Sequence, residues 1–154
     1  MSHNVKIQGV NIPNITILKR AVKEIAKEQG VEMTVTDDTT FRGWGNARTH
    51  ADHVLKIAGC QYDVGFNKGK NGKLEPVVED MAMRDVGRFI GSQDTAKAAT
   101  EGAACDRHGV GAIIGRLTQR INVLTAENQA ASNGMVTTRE VNKETGLITL
   151  IATR

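Results

Sequence analysis

Aromatic residues are scarce in this chain of 154 residues, only 3% of the total. A protein that holds single-stranded nucleic acid by stacking needs several exposed rings, and this composition argues against such a platform. Cysteine is nearly absent too: Cys60 and Cys105 are the only two. That excludes a disulfide scaffold, and two thiols so far apart are expected to be unpaired. With the four histidines they form no zinc spacing, so no metal and no cofactor is expected. No apolar run approaches the ~18 residues of a membrane span, so no membrane partner is expected. No charged-then-apolar leader opens the chain, which fits a cytoplasmic location. There is no internal repeat or low-complexity segment.

What is present fits one ordinary domain over residues 1–154, with 40% hydrophobic and 24% charged residues. The net charge of +3 and pI near 9 are compatible with anionic partners, nucleic acid included. No Lys/Arg cluster is dense enough for strong duplex binding.

Val5 and Ile7 alternate with polar residues and predict a strand. Asn14 is placed to cap a helix carrying Ile15, Leu18, Val22 and Ile25 on one face, and Gly30 is placed to end it. Val31, Met33 and Val35 predict a strand. Phe41 to Arg48 reads as a Gly-broken loop or bulged strand. Strands follow at Val54 to Ile57 and at Tyr62, Val64 and Phe66, the latter three sharing one face. Asn67 to Lys73 reads as a hairpin connection to Leu74 to Glu79, where Pro76 predicts an edge strand or a bulge. Met83 to Ile90 suggests a short helical turn, and Asp94 to Glu101 an Ala-rich helix. Ile113, Ile114, Leu117, Ile121 and Leu124 define an amphipathic helix, stopped at Asn133-Gly134. Gly115 is expected to weaken its first turn. A closing hairpin pairs Val136 to Val141 with Leu147 to Ala152. The order predicts an α+β fold, an antiparallel sheet with helices packed on one face. The apolar stripe of the late helix and the Ala residues from Ala96 to Ala104 predict a homo-oligomer.

Four of the five aromatics fall between Phe41 and Phe66. Within that stretch Arg42, Trp44 and Arg48 could hold an anion and stack a planar ring, with glycines letting backbone N–H groups approach a phosphate. Alternatively Trp44 caps the core and the arginines are solvated. In either case replacing Arg42 or Arg48 with alanine is expected to leave the melting temperature nearly unchanged. Arg116 and Arg120 lie one helical turn apart and form a second candidate anion platform, or simply a wet helix face. Asp52, Asp63, Glu79 and Asp80 lack the third element of a catalytic set. Gly109-Val110-Gly111 fails the dinucleotide spacing.

The opening LKRAVKEIAKEQG, the RGWG loop, ADHVL, YDVGF, LTQRINVLTAENQ and the ending GLITLIATR follow an order that resembles an uncharacterised family of hypothetical plastid reading frames. That family, of the ycf type and classed as a domain of unknown function, occurs in cyanobacteria, plastids, other bacteria and tailed phages. The resemblance covers most of the chain and implies an α+β fold; it brings no catalytic residues. The chain departs from the family pattern between Arg84 and Gly111, where it is longer and richer in Gly and Ala, as in a phage-encoded member acting in the host cytoplasm. The expected function is a non-catalytic binding protein for a small anionic, nucleotide-like ligand, such as a sequestered host defence signal. The alternative is a nucleic-acid accessory protein or a structural assembly protein.

Overall fold

The computed structural model describes residues 4–7, 10, 12–43, 45, 48–101 and 110–154. Five strands form an antiparallel sheet: β1 (Asn4–Lys6), β2 (Met33–Thr36), β5 (His53–Ile57), β6 (Val64–Lys68) and β7 (Leu74–Glu79), in the order β1-β7-β6-β5-β2. Helix α1 (Ile15–Gln29) begins where Asn14 Oδ1 accepts from the Ile17 N–H at 2.9 Å. It ends where Gly30 takes the left-handed conformation at φ 63°. Both signals act within a few residues of themselves, and both operate as the sequence predicts.

One face of the sheet carries the helices. Ile17, Leu18, Ala21, Val22 and Ile25 of α1 pack with Leu55, Ile57, Tyr62, Val64 and Phe66 in the main core. Helix α2 (Met83–Ile90) is a full two turns where a shorter turn was expected, and α3 (Gln93–Thr100) follows from the Ser92 cap. A 3₁₀ turn over Val110–Ile114 leads into α4 (Gly115–Ser132). Ile113, Ile114, Leu117, Ile121 and Leu124 are all fully buried within the chain itself. The apolar stripe predicted to be an oligomer seam is therefore consumed by the protein's own core. Gly115 has a packing reason: a Cβ there would lie 3.0 Å from the Ser92 backbone nitrogen.

Two further hairpins stand apart from the main sheet. β3 (Thr40–Arg42) pairs with β4 (Arg48–His50), and β8 (Val136–Val141) pairs with β9 (Ile148–Thr153). The first covers the sheet face opposite the helices, where Phe41, Ala51 and Val54 form a small second core with Val77. Gly65 is required beneath it, since a Cβ would sit 2.5 Å from the Phe41 ring.

Pro76 corrects the edge-strand expectation, because β7 lies between β1 and β6. Its carbonyl accepts from Ile7 at 3.0 Å, and the next contact on that side is Leu74 N–H to Ile12 at 2.9 Å. In an antiparallel ladder one residue's N–H and C=O point the same way. Pro76 thus faces Ile7 just past the end of β1, where it keeps its acceptor role and lacks only the donor.

Candidate functional site

The two predicted anion platforms fare differently. At the first, the Arg42 guanidinium is bound by Asp63: Nη2 donates to Oδ1 at 2.8 Å and Nε to both oxygens at 3.1 Å. The Arg42 backbone N–H donates to Oδ2 as well, at 3.0 Å. Asp63 is only 1% exposed, so Arg42, itself partly open to solvent, is the counter-ion of a buried carboxylate. This overturns the expectation that Arg42→Ala is thermally silent. The close approach at Gly43 is likewise to the protein's own carboxylate, because a Cβ there would collide with Glu79 Oε2. Glu79 is buried. That side chain already fills the space against Gly43 that a bound anion would need. Arg48 is exposed and opposite Arg42 in the β3–β4 register. Trp44 lies outside the described residues.

Beside Arg42 runs an open groove of about 420 Å³ that also exposes Glu32, Thr34, Thr36 and Lys56. Lys56 is paired with Asp38 at 2.6 Å. Each cation here already has its acid, and Glu32 adds a negative charge, so the groove holds no surplus positive charge.

The second platform splits. Arg120 is buried, 5% exposed, with Nη1 donating to Glu24 at 3.1 Å and Nη2 to Glu28 at 2.6 Å. Arg139 on β8 joins the same network, bonding Glu24 at 2.6 Å and also Glu127. Burial pushes the Glu24 carboxyl up, but the bonds and charges of Arg139 and Arg120 outweigh it, leaving the pKa below the usual carboxylate value. This cluster ties α1, α4 and β8 together, and it withdraws Arg120 from any ligand surface.

Arg116 is placed differently. It lines a pocket of about 180 Å³ where the start of α3, the first turns of α4 and the β8–β9 turn meet. Ser92, Gln93, Gly115, Gln119, Thr145 and Gly146 complete the lining. The two glutamines brace the turn: Gln93 Nε2 donates to the Glu144 carbonyl at 2.8 Å and Gln119 Nε2 to the Gly146 carbonyl at 3.1 Å. Arg116 is the only charged residue in this lining, and no ion pair engages it among the described residues. The sequence marked Arg116 only as half of a pair; the pocket partners from α3 and the β8–β9 turn carried no local signal.

The carboxylates considered for catalysis are engaged structurally. Asp52 accepts from the Lys68 N–H at 2.7 Å, and Asp63 holds Arg42. His53 meets Asp37 at 2.9 Å and His50 meets Asp52 at 3.5 Å, and no group of three metal-binding side chains occurs among the described residues. Cys60 is free and buried, with its thiol pKa pushed up by burial, so it is a poor nucleophile. Cys105 lies outside the described residues. No described helix is long and apolar enough to cross a membrane.

The chain matches no family model, no characterised protein and no solved structure. The site rests on its geometry alone.

Proposed function

We propose that the protein is a binding protein for a small anion, anchored by Arg116 in the pocket between α3, α4 and the β8–β9 turn. The observation that carries this reading is charge balance. Every other sequence-marked arginine whose contacts are described here, Arg42 and Arg120, is neutralised by a buried or half-buried acid, while Arg116 faces a pocket of neutral amide and hydroxyl groups. An arginine offers five N–H donors in a planar fork that suits a carboxylate or phosphoryl oxygen pair. The pocket volume of about 180 Å³ is below the ~300 Å³ at which sites enclose drug-sized ligands. The pocket would therefore hold the phosphoryl or carboxylate end of a ligand, and a nucleotide would leave its base outside. Engagement of Asp52 and Asp63 in backbone and ion-pair bonds supports binding over catalysis.

Calorimetric titration with inorganic phosphate and with a nucleoside monophosphate tests the reading. Loss of a charge-assisted bond of ~1.5–3 kcal/mol should weaken binding by roughly tenfold to a hundredfold in Arg116→Ala. The melting temperature should hardly move, since Arg116 makes no hydrogen bond or ion pair among the described residues. Equal affinity in parent and variant, or no heat from either ligand, would remove the basis for this assignment.

A further inference from the structure

Four of the five exposed large hydrophobic residues among those described lie on or beside one hairpin: Val136, Val141, Leu147 and Ile151, with Met81 the fifth. That hairpin, β8–β9, is a two-stranded sheet, so each strand leaves one edge open. Asn142 N–H donates to the Leu147 carbonyl at 2.9 Å. By antiparallel alternation Thr149, Ile151 and Thr153 then direct their backbone groups at β8, while Ile148, Leu150 and Ala152 direct theirs outward, with no partner among the described residues.

Proteins guard such edges with charge, proline, bulges or short length. The other edges here follow that rule. β1 is three residues long and carries Lys6, paired with Glu75. β2 runs directly into Asp37 and Asp38. The outward set of β8 includes Arg139. β9 has none of these devices: Leu147 to Thr153 reads LITLIAT, with no charge and no proline.

We propose that the open edge of β9 pairs antiparallel with β9 of a second copy of this chain, joining two hairpins into one four-stranded sheet. Charge selects the occupant. A neutral strand set against its own copy confronts no like charges, and a charged peptide strand would gain no counter-charge here. A twofold axis at Ile151 sets Leu150 against Ala152 of the second copy, so their outward groups can exchange hydrogen bonds. It also sets Thr149 against Thr153 and puts the two Arg154 residues at opposite ends. An edge contact of this size buries less than the ~1,600 Å² of a standard stable interface. The association is therefore expected to depend on concentration.

Light scattering on the full chain reads the outcome as a mass rising from 16.6 kDa toward twice that value as concentration increases. Ala152→Pro removes one outward N–H while leaving every β8–β9 bond in place, and it should abolish the rise. Ile151→Lys sets two ammonium groups face to face and should do the same; it decides the matter if circular dichroism shows that the proline variant does not fold. A parent protein that stays monomeric at all concentrations overturns the proposal. So does a dimer that persists in a folded variant, or a mass that climbs past the dimer.

Discussion

The hairpins β3–β4 and β8–β9 invite comparison. Each is a two-stranded sheet outside the main one, and each is fastened through an arginine on one of its strands. An isolated hairpin is marginal in water, so each needs outside support. β3–β4 obtains it from an apolar plug, Phe41 over Gly65 and Ala51, plus Arg42 on the buried Asp63. β8–β9 obtains it largely from charge: Arg139 reaches Glu24 on α1 and Glu127 on α4, beside Arg120, while its outer face stays bare. The same element can be held by packing or by an ion network, and the two respond to different perturbations.

The sharpest way to break the comparison is at Arg42. Arg42→Ala strands a carboxylate that is 1% exposed, and breaking such a pair costs ~3–5 kcal/mol. The Arg42 backbone N–H remains on Asp63 and keeps the loss near the lower bound. Urea unfolding should show a lowered midpoint with an unchanged slope; an unchanged midpoint would mean that Asp63 is served by solvent. A smaller loss is expected at Arg139, whose partners Glu24 and Glu127 are 30% and 22% exposed. Water can compensate them in part, so Arg139→Ala should cost about 1–3 kcal/mol. Hydrogen exchange should then rise across Val136 to Thr153 while β5, β6 and β7 keep their protection. Uniform loss of protection would show that the hairpin and the sheet form one cooperative unit.

The mildest probe is acid. The folded-state pKa of Glu24 lies below its unfolded value, so its contribution is fully present above about pH 4.5 and is lost as pH falls through the folded pKa. Protection factors in β8–β9, corrected for the intrinsic pH dependence of exchange, should therefore fall below that pH before those of the five-stranded sheet do. The Arg139→Ala variant should show a flatter dependence, since one of the bonds lowering the Glu24 pKa is gone.

Much of the fold is legible in the chain because its causes are local. Asn14 and Gly30 bound α1, the alternation of Tyr62, Val64 and Phe66 sets one strand face, and Gly69 and Gly72 shape the β6–β7 turn. The site is less legible. Arg42, Arg116 and Arg120 look alike in sequence, each a basic residue directly beside a large apolar one.

Their fates differ because of partners far along the chain. Asp63 is 21 residues from Arg42, and Glu24 and Glu28 are 96 and 92 residues from Arg120. Periodicity and capping depend on the nearest few residues, and so the sequence by itself determined the α+β class, most of the elements and their apolar faces. Which charges neutralise one another depends on where separate elements come to rest. Only the tertiary structure decided that Arg42 and Arg120 are counter-ions, that the α4 stripe is core, and that Arg116 and the β9 edge find no partner among the described residues.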